Sequence, residues 1–285
     1  MIDAARRLMS NLIKARGIFL IIGLMLADLI LYSVLLRILT AIPGFSEFLD
    51  SNIFASMILS ELIFIFPALP LYMSVTRQKF AGVLPLNPPG WKNAAYIILM
   101  TFLLGPATSL LSALTSLFYP NAAERITSMF TPGNLPAAIL IVAVLPALVE
   151  EICFRGAVLN ASKGMSVTSA ALINGILFGF IHMNPQQIPY AMFLGVVFSL
   201  YVIHTRSIFS SMLAHFLVNA SNVILALTLS GNAETAGAAE GLPEAILTLA
   251  VGSIVFFLMF LGVYRRFRLY NMRRGLTIAR DGLNE

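Results

Sequence analysis

The chain has 285 residues, of which 59% are apolar and only 11% charged, against about 45–50% and about 25% in ordinary soluble domains. A mean hydropathy of +0.89 agrees, and so few charges exclude an ordinary water-facing surface. The formal net charge of +5 is distributed in a way that argues for membrane orientation and against a nucleic-acid partner.

The first sixteen residues set Ile2, Ala5, Leu8, Met9, Leu12 and Ile13 at helical spacing, with Arg6, Arg7 and Lys14 among them. This pattern predicts a basic helix over 1–16 lying on anionic headgroups or anchoring the topology. The next apolar stretch is too long for a signal-peptide core, and no small-residue cleavage site succeeds it.

An apolar helix needs about 20 residues to cross a hydrocarbon core of about 30 Å. Eight stretches qualify, at 17–39, 53–76, 94–118, 134–158, 167–184, 187–203, 207–230 and 245–267. The expected fold is therefore all-α, a polytopic membrane bundle of eight transmembrane helices, because a helix satisfies its backbone groups internally. The fifth and sixth stretches are the shortest, and the tight Asn184-Pro185 connection also allows a hairpin that stops inside the protein.

Alternate connections collect 16 of the 18 cations on one side, ending with Arg265, Arg266, Arg268, Arg273, Arg274 and Arg280. Glu47, Asp50, Glu124, Glu234, Glu240 and Glu244 fall on the other. Both termini are accordingly expected to be cytoplasmic, with 268–285 a basic cytoplasmic tail. The whole chain, 1–285, reads as one integral-membrane domain whose chemical core is 134–230. Residues 231–244 are polar and Ala/Gly-rich and receive no function.

Ionisable groups inside apolar spans are costly and each needs a reason. Asp28 and Glu61 sit singly in the first and second spans, where structural pairing or the lining of a polar cavity is the expected role. In Glu150-Glu151-Ile-Cys-Phe-Arg155, Glu151 and Arg155 are four apart and can pair on one helix face. Glu150 lies about 100° further round, unmatched by that arginine, and is the carboxylate suited to act as a general base. A purely structural ion pair is the competing reading. Pro146, one turn earlier, frees a backbone carbonyl and predicts a kink.

Phe178 precedes His182 by one turn, and His215 precedes Asn219 by one turn on a shared face. Glu150 and His182 each lie 16 residues from the turn expected at Met165–Ser166. Two antiparallel helices would bring them to one depth, about 24 Å from that turn. His204, beside Arg206, is expected at the interface without a chemical role. The single cysteine, Cys153, excludes a multi-Cys metal site or an internal disulfide.

These segments resemble the CPBP (Abi) family of intramembrane proteases, which includes the type II CAAX prenyl endopeptidases. Its motifs Glu-Glu-x-x-x-Arg, Phe-x-x-x-His and His-x-x-x-Asn/Asp are matched by Glu150-Glu151…Arg155, Phe178…His182 and His215…Asn219, in order and on separate helices. The resemblance implies a glutamate-dependent, metal-independent endopeptidase acting on a peptide or protein substrate, membrane-associated or prenylated. Glu150 and His182 would activate the attacking water, and His215 and Asn219 would hold the oxyanion. Glu151 and Arg155 would support the site or touch substrate, and Phe178 would pack. No cofactor is expected. Zinc is the rival, but His-Glu-x-x-His is lacking and Asn219 is a poor zinc ligand. A catalytically silent scaffold or immunity protein and an ion- or proton-coupled transporter are the other readings, and a prokaryotic plasma membrane is the expected location.

Overall fold

The computed structural model describes residues 2–64, 68–121, 132–230 and 242–276. All the described secondary structure is helical apart from one isolated bridge between Leu86 and Ser207. The helices are α1 (Ile2–Thr40), α2 (Phe45–Ser51), α3 (Ile53–Phe64), α4 (Ala68–Thr76), α5 (Phe80–Val83) and α6 (Trp91–Ser116). They continue as α7 (Leu135–Ala161), α8 (Val167–Ile181), α9 (Ile188–Thr205), α10 (Ile208–Ser230) and α11 (Leu242–Arg273).

Six of these are long and apolar enough to cross a membrane, namely α1, α6, α7, α9, α10 and α11, so the chain is an integral membrane protein. The other two expected spans differ. The second is seen as α3 and α4 on either side of residues 65–67, which lie outside the described residues. The fifth, α8, has 15 residues and a length of about 22 Å, short of a full crossing. Residues 2–16 run into the first span as one unbroken helix. The side chains of 1–15, the segment 231–241 and the tail beyond 276 lie outside the described residues, and with them the amphipathic face expected over 1–16 and most of the basic tail.

α8 and α9 form a hairpin whose closeness is set by glycine. A Cβ at Gly175 would lie 2.7 Å from the Met192 carbonyl oxygen and 2.8 Å from the Val196 nitrogen. One at Gly179 would meet the Ile188 carbonyl at 2.9 Å, and one at Gly195 would meet the Gly175 Cα at 2.8 Å. These are backbone atoms, so small residues let the two helices touch main chain to main chain. Gly175→Ala is expected to lower stability by about 1–3 kcal/mol through overpacking, read as a fall in Tm of the detergent-purified protein. Gly23→Ala is the control, because nothing lies within 4 Å of its added Cβ.

The bundle is tied at the ends carrying the cations. The Asn160 amide donates to the Gly82 carbonyl (3.0 Å) and accepts from the Tyr72 hydroxyl (3.1 Å). Ile208 N–H donates to the Pro85 carbonyl and the Asn87 amide to the Arg206 carbonyl. Residues 82–87 therefore lace α7 to the α9–α10 corner. Asn93 and Asn271 exchange amide hydrogen bonds of 3.0 and 2.9 Å, holding α6 against α11. His204 departs from its expected interfacial place. It lies in the last turn of α9, 2% exposed, with Nε2 2.9 Å from the Tyr264 hydroxyl.

Candidate active site

α7 carries the two glutamates on a short α-helical stretch, Leu145–Glu151, between two widened stretches of π-helix at Ile139–Val144 and Ile152–Val158. Pro146 explains the first. It has no N–H to give the carbonyl four residues back, that of Val142. Asn219 supplies the donor instead, its Nδ2 lying 3.0 Å from the Val142 oxygen. In the second, the Asn174 amide donates to the Phe154 carbonyl at 2.8 Å. Side-chain amides from α10 and α8 thus brace the two deformed stretches that flank the glutamates. π-Helical turns of this kind gather at functional sites.

Glu151 is the hub. It is 0% exposed, and its Oε1 accepts from Arg155 Nη1 and from His215 Nδ1, each at 2.9 Å. Arg155 Nη2 donates to the Gly195 carbonyl at 3.1 Å, where α8 and α9 are closest. The guanidinium lies 4.5, 5.4 and 5.9 Å from the ring centres of Phe178, Phe198 and Phe154. Three aromatic faces take the place of water around a buried cation. The α7 pair is therefore also the bolt that fixes α9 and α10.

Glu150, 6% exposed, points elsewhere. Its Oε2 lies 4.0 Å from His182 Nε2. His182 Nδ1 is 2.7 Å from the Phe178 carbonyl, which can only accept, so Nδ1 carries a proton, and in the neutral form of the ring the Nε2 lone pair faces Glu150. The 4.0 Å gap is too long for a direct hydrogen bond and has the width that one water donating to both acceptors would span. Phe178 sets its ring edge-on to both histidines, 5.1 Å from His182 and 5.8 Å from His215.

His182 ends α8, and the loop after it is pinned. Met183 takes a left-handed conformation (φ 49°). Gln186, fully buried, donates from Nε2 to Ser112 Oγ (2.9 Å) and Ser116 Oγ (3.2 Å), and its backbone carbonyl accepts from Thr115 Oγ1 (2.9 Å). α6 thereby secures the loop that bears His182.

All seven residues singled out by spacing lie on α7, α8 and α10, and two clusters form: Glu150 with His182, and Glu151 with Arg155 and His215. Phe178 joins them. Asn219 commits one of its two amide hydrogens to α7 and keeps the other. Ser211, one turn before His215 on the same face, is fully buried and donates to the Ile208 carbonyl (3.0 Å), and the spacing Ser211…His215…Asn219 is the signal that points to it. Gly195, Phe198 and Asn174 had no such signal, since their parts follow from packing. Among the described residues, no three His, Cys, Asp or Glu side chains are grouped to hold a metal ion.

Residues 132–221 match the family described as Type II CAAX prenyl endopeptidase Rce1-like. The matched region runs from the start of α7 into α10 and contains all three motifs, which bears out the resemblance to the CPBP proteases. No curated protein and no solved structure matches the chain.

Proposed function

We propose that the protein is an intramembrane endopeptidase in which Glu150 activates a water against a peptide carbonyl. The observation that carries this is the facing pair of acceptors, Glu150 Oε2 and His182 Nε2, 4.0 Å apart. A water between them would give one hydrogen to each and turn a lone pair outward. Glu150 takes its proton as the oxygen attacks the carbonyl carbon, and returns that proton to the leaving amine. His182, locked by the Phe178 carbonyl, orients the water.

The oxyanion falls to α10. Glu151 holds His215 through Nδ1 and leaves Nε2 on the far side of the ring, a donor when the ring is protonated. Asn219 offers its second amide hydrogen one turn away. Such fixed donors act on charge that develops only in the transition state. The scaffold and transporter readings have no comparable observation in their favour.

In the bilayer we read eight membrane segments in a single integral-membrane unit, with the cation-rich connections and both termini cytoplasmic. α8 and the α3–α4 pair are embedded pieces, with Leu172, Ile176 and Phe180 of α8 and Leu71 and Val75 of α4 left exposed toward lipid. The substrate is a peptide or protein reached through a cavity open to the cytoplasm, membrane-associated or prenylated as the matched family's description suggests. The prokaryotic plasma membrane is the proposed location.

The test is cleavage of a fluorescence-quenched peptide library, with and without a prenylated member, by full-length protein in detergent. Turnover is expected to be unchanged by a chelator. Loss on chelation, restored by zinc, overturns the metal-independent mechanism, and no turnover by folded wild-type protein overturns the endopeptidase reading.

A further inference from the structure

α6 and α11 meet at the end of the bundle that carries the cations. Asn93 and Asn271 hold the two helices at one level there, and the Tyr96 ring lies 5.9 Å from Phe267 and 6.1 Å from Tyr270. Two cations converge on the Tyr270 ring. Lys92 Nζ of α6 lies 5.9 Å from its centre, and Arg274 Cζ of α11 lies 5.4 Å from it. Arg274 Nη1 also donates to the Tyr270 hydroxyl at 2.8 Å, and Lys92 Nζ stands 5.5 Å from the Trp91 ring.

No acid answers these two charges. The ion pairs among the described residues all lie in the candidate active site, and neither residues 77–92 nor residues 264–280 contain an Asp or Glu. Beside the cations, Trp91 is 76% exposed. Ala95, Ile98, Leu99 and Phe102 are exposed too and continue from it along one face of α6, at the spacing that stacks side chains over successive turns. One end of this strip holds two unanswered positive charges, and the rest is apolar. A soluble anion would use only the charges, and a neutral lipid only the strip. An amphiphile with an anionic head and long acyl chains matches both, and an indole ring favours the level of the headgroups.

We infer that the α6–α11 corner binds an anionic phospholipid, Lys92 and Arg274 meeting its phosphate and the Trp91–Phe102 face of α6 taking an acyl chain. Both cations are already held against aromatic rings, so little side-chain freedom is lost when the phosphate binds. A lipid seated there bridges α6 and α11 and reinforces the tie between Asn93 and Asn271. The site does not depend on the endopeptidase reading.

Trp91 is the only tryptophan of the chain, so its fluorescence reports this corner alone. The full chain is reconstituted in vesicles of phosphatidylglycerol and phosphatidylcholine, with bromine on the acyl chains of one lipid or the other. Quenching of Trp91 then gives the relative affinity of the two lipids at the site, and each protein is its own reference. Brominated phosphatidylglycerol is expected to quench the wild type well beyond its share of the bilayer. Lys92→Gln and Arg274→Gln should each cut that preference about fivefold, and together by up to about thirtyfold. The double variant Arg77→Gln/Lys79→Gln removes the same charge from the α4–α5 connection and should leave the preference unchanged. Equal quenching of the wild type by the two lipids overturns the site. So does a preference that survives in Lys92→Gln/Arg274→Gln, or one that falls as far in the Arg77/Lys79 control, which would leave only a general attraction to the charged surface. Should Lys92→Gln/Arg274→Gln not elute as a single species, the two single variants decide, and a wild-type preference in both overturns the site.

Discussion

Glu150→Gln is expected to abolish peptide cleavage while leaving the protein folded. The amide keeps the size of the carboxyl and can still meet His182 through water, but it cannot take a proton from that water. General base catalysis contributes about 10²–10⁴-fold, so kcat should fall by at least that range with little change in KM. The Tm should barely move, because the Glu150 Oε2 makes no hydrogen bond in the fold. Cleavage assays beside thermal unfolding in detergent check both halves. Retained turnover in a folded Glu150→Gln protein would remove Glu150 from the chemistry and turn attention to the scaffold reading.

Arg155→Met is expected to do the reverse, acting on the fold before the chemistry. The guanidinium is buried, paired with Glu151 at 2.9 Å and bonded to Gly195. Its removal strands a carboxylate among apolar helices, a change that costs about 3–5 kcal/mol. Domains have only about 5–15 kcal/mol to lose. A large fall in Tm and poor recovery as a single species are expected. Changing Glu151 to Gln in the same chain removes the stranded charge and should restore much of the loss, though cleavage should stay low because His215 loses its carboxylate. Arg155→Lys should be no substitute, since one ammonium cannot span Glu151 and Gly195 while lying flat against Phe178. An Arg155→Met protein with wild-type Tm would show that the pair is not structural.

The spacing of polar residues in apolar spans was enough to bring Glu150 to His182 and Glu151 to Arg155. Helical rise and the turn between α7 and α8 equalise the depth of the first pair, and a four-residue step places the second on one face. The partner of His215 was not legible, because it depends on how α10 rotates against α7. Nor was the main role of Asn219 in the fold. Pro146 announced a freed carbonyl, but only packing puts the Asn219 amide there. Glu61 stood out as a costly acid, but the sequence did not show that its helix, α3, packs on the glutamate-bearing stretch of α7. His204 was misplaced because proximity to Arg206 suggested water, whereas the final turn of α9 is covered by α11. Among the described residues the eight apolar stretches are helical over most of their length, yet their hydropathy did not show that α8 ends at Ile181, short of a full crossing.

The widened stretches of α7 have a consequence for how this chain tolerates changes in length. A turn wound with i→i+5 bonds accommodates more residues than an α-helical turn does. Deleting one residue between Ile152 and Val158 would favour a return to regular winding and, by itself, improve the local backbone. Because the widened turn takes up the extra residue, Asn160 would keep its phase toward Tyr72 and Gly82, whereas a deletion in a regularly wound α-helical stretch rotates everything beyond it by about 100°. The widened stretch between the glutamates and Asn160 is therefore where α7 can absorb a change in residue count.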